Sequence, residues 1–149
     1  MRTIVVGVDG SDASKQALRW AVDEARLHRA RVVALHAWEV PLVTPDLGPA
    51  PPVDLAASIA EHEAGALQLV AEAVAEIVGD DAAVDVEPLA VEGAAAPTLI
   101  EAAGDADLLV VGSHGHAALT GALLGSVSQE CVQHSPCPVL IHRTQRRVR

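Results

Sequence analysis

Hydrophobic positions along this chain follow two alternating rhythms. Thr3 to Asp9, TIVVGVD, is short, β-branched and bounded by Gly10-Ser11-Asp12, which predicts a buried strand. Ala17, Leu18, Ala21, Val22 and Ala25 then recur at helical spacing. Ser11 or Asp12 can cap that helix, because their side-chain oxygens accept hydrogen bonds from free first-turn amides. Arg31 to Glu39, RVVALHAWE, predicts a second strand. Asp54 to Val78 is alanine-rich with helical periodicity, which turns Leu67, Val70, Ala71, Val74 and Ile77 inward. Val84 to Val91 is a third strand, Pro97 to Ala103 opens a short helix, and Asp107 to Val111 is a fourth strand, apolar enough to be central. Ser126 to His134 is a helix, and Val139 to His142 is a fifth strand begun by Pro138. Between the second strand and the long helix, prolines 41, 45, 49, 51 and 52 mark a loop.

Strand and helix alternate throughout, which argues for an α/β fold: a parallel sheet with helices on both faces. The 149 residues fit one domain, residues 1–149, with no internal repeat. No apolar stretch reaches the roughly 18 residues of a membrane span. The start, MRTIVVGVDGSD, turns polar too soon for a signal peptide, so a cytoplasmic protein is expected. In that compartment Cys131 and Cys137 are expected as reduced thiols, and their spacing lacks the tight pairing of a zinc site. All ten lysines and arginines lie in residues 1–31 and 143–149, while residues 32–142 hold sixteen of the twenty carboxylates. A nucleic-acid binder needs a basic face, so that class is set aside. The basic tail Arg143 to Arg149 reads as a short frayed terminus.

Candidate chemistry concentrates in VVGSHGHAALTGALLGSVS, Val110 to Ser128. Gly112, Ser113, Gly115, Gly121, Gly125 and Ser126 crowd one connection, although glycine costs about 0.5–1 kcal/mol where backbone is ordered. Either the chain needs left-handed turns there, or something comes very close to the backbone. In a parallel α/β sheet, ligands bind at the carboxyl ends of strands where the strand order reverses. Two connections suit such a site: Val8-Asp9-Gly10-Ser11 after the first strand, and this stretch after the fourth. The stretch ends at Gly125-Ser126, where a helix begins, and a helix N-terminus offers unpaired amides and partial positive charge to a phosphate. Ser126 and Ser128 add hydroxyl donors. A Walker A loop needs a lysine after its last glycine, and none is present, so phosphate would be held by amides and hydroxyls in an acidic region. A divalent cation bound with the nucleotide then gains importance. The competing reading is a wide, tightly packed turn with no ligand.

Other constellations carry less. His114 and His116 alternate in the same loop without a third metal ligand, so no metal site is assigned. His36 in an apolar strand is expected as a hydrogen-bonded core histidine, and His134 as a helix-end residue favoured by the dipole. Asp9 has no nucleophile paired with it by a motif such as G-x-S-x-G, so no catalytic residue is named. Trp20 is expected to pack from its helix, and Trp38 to lie near the nucleotide pocket.

Gly112-x-x-Gly115, nine residues, then Gly125-Ser126 resembles the G-2x-G-9x-G-(S/T) nucleotide motif of the universal stress proteins. The resemblance covers nearly the whole chain, through IVVGVDGSDASKQALRWA, VEGAAAPTLIEAAGDADLLVVGSHGH and LLGSVSQECVQHSPCPVLIHR. It implies a Rossmann-like fold of the adenine nucleotide alpha hydrolase-like type, with a five-stranded parallel sheet of order 3-2-1-4-5. It also implies a homodimer and, in many members, ATP binding. Carried over by position, it places Gly7, Val8 and Asp9 by the adenine and ribose, and Ala37 at an adenine-packing position often held by valine. Val111 and Gly112 flank the ribose, and Gly115, Gly125, Ser126, Val127 and Ser128 line the phosphates. Ala37 offers less contact than valine, and Ala94-Ala95-Ala96-Pro97 places its proline later than many relatives do.

The reading is a cytoplasmic ATP-binding stress-response regulator, with Mg2+ bound beside the nucleotide and an unidentified protein partner. Thr120, Ser126 and Ser128 are the hydroxyls that bound ATP could slowly phosphorylate. The alternatives are a slow ATPase or autophosphorylating enzyme, and a dimeric scaffold that binds AMP, cyclic AMP or no nucleotide. The fifth strand would lie at the sheet edge and pair with its copy across a two-fold axis, through residues 138–143 with Val139 and Ile141 packing. A proline at Leu140 is then expected to break that pairing.

Overall fold

The computed structural model describes residues 2–41, 54–113 and 124–144. The strands are β1 (Thr3–Gly7), β2 (Arg31–Trp38), β3 (Val86–Glu92), β4 (Leu108–Gly112) and β5 (Val139–His142). The helices are α1 (Asp12–His28), α2 (Leu55–Val78), α3 (Ala95–Ala102) and α4 (Ser126–His134), with a single 3-10 turn at Ala103–Asp105. All four neighbouring strand pairs are parallel, in the order β3-β2-β1-β4-β5. Val5 of β1 thus sits between Val33 of β2 and Leu109 of β4.

Strand alternation divides the apolar residues between two cores. Ile4, Val6, Val32, Ala34 and Val110 face α1 and α2 and meet Ala17, Leu18, Ala21, Val22, Val70 and Ala73. Val5, Leu35, Leu109 and Val111 face the other way, toward Leu99, Ala103 and Cys131 of the α3 and α4 side. The expected stripe of α1 is buried in full. On α2 the stripe is rotated: Ala66, Val70 and Ala73 are buried, and Leu67 is 47% exposed. Small alanines let the helix lie close to the sheet and leave the larger leucine at its flank.

Several element boundaries differ from expectation by one or two residues: β1 ends at Gly7 and not Asp9, and the starts of α3 and β3 also shift. The short helix begins at Ala95, two residues before the expected Pro97. Pro97 occupies its third position, where an amide has no intrahelical acceptor to lose. Val84 is buried but precedes β3, which begins at Val86.

β5 lies at the edge beside β4, and its four residues are half-buried. The carbonyls of Pro138 and His142 accept from Leu109 N–H at 3.0 Å and Ser113 N–H at 3.1 Å. Main-chain groups alternate sides along a strand, so Leu140 also faces β4, and Val139 and Ile141 face outward. A proline at Leu140 would therefore break the rung to β4, and Ile141 is the position that tests the open edge. Among the described residues, no helix is long and apolar enough to cross a membrane.

Candidate functional site

Strand order reverses between β1 and β4: the chain leaves β1 toward β2 and leaves β4 toward β5. The gap this opens at the carboxyl ends of the strands holds a cavity of about 460 Å³, a size typical of small-molecule sites. Gly7, Val8, Asp9, Ala37, Val111, Gly112, Gly125, Ser126, Val127 and Ser128 all line it. Gly115, with His114, His116 and Thr120, lies outside the described residues. Ser14, Leu35, His36, Ala95, Leu99 and Ser113 line it as well, although the sequence assigned none of them to the nucleotide site. Leu35 carried a usable signal, since it stands two residues before Ala37 on the same face of β2.

Left-handed backbone explains neither Gly112 nor Gly125, and close approach of a neighbour is found at Gly7. Positive φ occurs at Gly10, Gly79 and Gly93, and neither Gly112 nor Gly125 is among them. Gly125 is extended, at φ −67° and ψ 165°, a conformation open to any residue. At Gly112 a β-carbon would stand 3.5 Å from the Ala13 main chain, so β4 ends against the first turn of α1. At Gly7 it would stand 3.0 Å from Leu99 Cδ1, inside the cavity wall. Leu35, Ala37, Leu99, Val111 and Val127 make that wall apolar.

Three helices begin around the cavity, and they begin differently. α1 is closed by Ser11, whose Oγ accepts from Ser14 N–H at 3.2 Å. α4 starts at Gly125, which has no side chain to cap it, and α3 starts at Ala94, which makes no side-chain cap either. Ser128 Oγ donates to Gly125 C=O at 2.9 Å and Ser113 C=O at 3.3 Å, which pins the start of α4 to the end of β4. Gly125 N–H donates to Ser113 C=O at 2.8 Å and closes the base of the intervening loop. The first-turn amides of α4 thus have no intrahelical acceptor, and Ser126 to Ser128 border the cavity. Such an arrangement favours an anion through both the N–H groups and the helix dipole.

Opposite, β2 outlasts β1. Val8 N–H donates to Leu35 C=O at 2.8 Å, while Trp38 C=O accepts from Gly93 N–H on the β3 side. By alternation the N–H and C=O of Ala37 face the β1 side, where the chain has already turned away at Gly10, φ +85°. One donor and one acceptor therefore stand side by side at the cavity rim. His36 is the expected hydrogen-bonded histidine: its ring Nδ1 lies 2.8 Å from Val8 C=O, and since a carbonyl only accepts, Nδ1–H donates there.

Asp9 is the one charged residue lining the cavity among the described residues. Its Oδ1 accepts from Ser11 N–H at 2.9 Å and from Ser11 Oγ at 2.5 Å. Trp38 differs from expectation. It is buried on the opposite face of β2, against Ala66 and Leu69 of α2, and does not line the cavity. Strand parity decides this, since Trp38 and Ala37 point to opposite faces. Cys131 and Cys137 are both free, and burial pushes the Cys131 thiol up to about 11.

The chain matches the model of the universal stress protein family over residues 1–143. A universal stress protein of Mycolicibacterium smegmatis is 37% identical over 140 residues, covering 94% of this chain and 45% of that protein. One from Thermus aquaticus is 35% identical over 144 residues, covering 95% of this chain and 98% of its own. The chain thus spans about half the length of the mycobacterial relative. Among solved structures, universal stress protein UspA from Lactobacillus plantarum superposes with a TM-score of 0.75 at 26% identity, covering 94% and 96% of the two chains. A universal stress protein in complex with cAMP superposes with a TM-score of 0.68 at 32% identity, covering 97% and 98%. With the sheet order, the switch-point cavity and these matches together, this chain belongs to the universal stress protein family.

Proposed function

We propose that this chain binds an adenine nucleotide in the switch-point cavity and acts as a regulator whose nucleotide state controls a partner protein. The observation that carries the reading is the pairing of two ends of the cavity. The uncapped start of α4 suits a phosphate, and the Ala37 main chain suits the adenine edge. Adenine presents an acceptor at N1 beside a donor at N6, which complements one N–H and one C=O. Guanine presents the reverse pair and would meet like with like. The apolar wall of Leu35, Ala37, Leu99, Val111 and Val127 covers the base, and Asp9 stands where a ribose hydroxyl can donate to it. That a relative 32% identical is in complex with cAMP supports an adenine ligand.

ATP with Mg2+ is the fuller form of this reading. The phosphates would run along a rim with no lysine or arginine among the described lining residues. Lys15, on α1, is engaged with Glu76 of α2 at 2.8 Å, which raises its pKa through that hydrogen bond and keeps its charge on α2. Among the described residues no three His, Cys, Asp or Glu side chains converge on a metal position. Phosphate oxygens and water would then supply most of the ion's ligands, with the nucleotide carrying it in. AMP or cAMP is the second reading, favoured by the cAMP complex of the relative. Titration with ATP, AMP and cAMP, each with magnesium and with chelator, separates them. ATP binding tightest, and weakening clearly in chelator, supports the first; AMP or cAMP binding tightest, indifferent to magnesium, supports the second.

We also propose a homodimer through β5, whose outward edge carries the main-chain groups of Val139 and Ile141. An uncovered edge strand is a template for pairing, and two copies close it with two-fold symmetry.

A further inference from the structure

The buried stripe of α1 begins with a serine. Ser14 is 5% exposed and leads a run of Ala17, Leu18, Ala21, Val22 and Ala25 that is otherwise apolar. Its hydroxyl is fully employed: Ser14 Oγ donates to Ser11 C=O at 2.9 Å and accepts from Asp9 N–H at 3.3 Å. The neighbouring bonds complete a ring. Ser14 N–H donates to Ser11 Oγ at 3.2 Å, while Ser11 N–H and Ser11 Oγ both donate to Asp9 Oδ1.

This is a rearranged helix cap. In an ordinary capping box the side chain three residues into the helix reaches back to the N-cap amide. Here the Asp9 carboxylate takes the Ser11 amide, and Ser14 reaches past the N-cap to the Asp9 amide. Asp9 is thereby held at both its main chain and its side chain by the first turn of α1. Gly10 makes the tight path possible at φ +85°, with α2's Leu69 3.4 Å from where its β-carbon would stand. The α1 stripe would bury an alanine at this position as readily as at Ala17, so packing alone does not call for a hydroxyl.

We infer that Ser14 is a positioning residue of the nucleotide site, which orients Asp9 toward the ribose of the bound nucleotide. This rests on the adenine-nucleotide reading above. Ser14 acts through Asp9, so its removal is felt by a ligand with ribose hydroxyls and not by one lacking them.

The test is calorimetric titration of wild type, S14A and S14T with AMP and with 2′,3′-dideoxy-AMP. Loss of one partly buried hydrogen bond is worth about three- to tenfold, so S14A is expected to weaken AMP by about that factor. Its affinity for the dideoxy compound is expected to stay at the wild-type value, and S14T, which keeps the hydroxyl, to recover AMP binding. Both ligands are measured on one variant, so a general loss of fold would lower both together. S14A that binds AMP as wild type does, or that weakens both ligands alike, overturns the inference while leaving the nucleotide site standing. Wild type that binds neither ligand overturns the nucleotide reading and this inference with it.

Discussion

At Gly93 the backbone stands at φ +142°, and a β-carbon would lie 2.8 Å from Thr98 Oγ1. Thr98 Oγ1 already donates to Ala94 C=O at 2.7 Å in the first turn of α3. Gly93→Ala is therefore expected to cost about 1–3 kcal/mol, from backbone strain together with the displaced threonine. Urea denaturation reads this as a lower midpoint at unchanged slope; an unchanged midpoint would show that the turn relaxes freely. Gly125 has the opposite character. Its extended backbone accepts any residue, so Gly125→Val is expected to keep the fold and still lose nucleotide affinity by about tenfold or more, as the side chain enters the rim where Ser126 and Val127 present their amides. Undiminished binding by that variant, measured by calorimetry, would remove the phosphate from this end of the cavity.

α4 links the nucleotide rim to the core, since Ser128 ties its start to β4 and Cys131 is buried in its middle. Burial raises the Cys131 thiol from 9.0 to about 11, so the folded protein holds this proton more tightly than the unfolded chain. The stabilisation is fully present below pH 9 and is lost as pH rises from about 9 toward 11. Equilibrium unfolding across that range is expected to show a decline that Cys131→Ser removes. Folded protein at neutral pH is also expected to leave Cys131 unalkylated, which peptide mass spectrometry checks; rapid alkylation there would mean that α4 opens from the sheet. The contrast among the helix starts was invisible in the pattern. Ser11 reads as a cap from its residue type, but that Gly125 and Ala94 leave their helices without a side-chain cap is a matter of what no described neighbour supplies.

On the scale of the molecule, the alternation of runs gave five parallel strands and helices on two faces, because strand and helix periods differ enough to be told apart. Strand order came from the resemblance: the apolar run marks Asp107 to Val111 as a central strand but is silent on whether β1 or β3 lies beside it. The described site residues were legible where a motif or strand end named them. Ser14, His36 and Leu99 were not, since a serine in a helix, a histidine in a strand and a leucine in a short helix carry no signal until the sheet brings them to one cavity. Trp38 was expected near the nucleotide pocket and does not line it, because one step along a strand from Ala37 reverses the face. For the proposed dimer, Ile141→Pro is expected to keep the β4 rungs and shift light scattering toward monomer, with Leu140→Pro unfolding the edge instead; a monomeric wild type at micromolar concentration would refute the interface. In the proposed reading the cavity recognises an adenine edge through the Ala37 main chain while α4 holds the phosphate. Calorimetric titration of wild-type protein with AMP against GMP tests it most directly. AMP is expected to bind at least about tenfold more tightly, since guanine would leave buried donors and acceptors mismatched; equal affinities, or tighter binding of GMP, would contradict it.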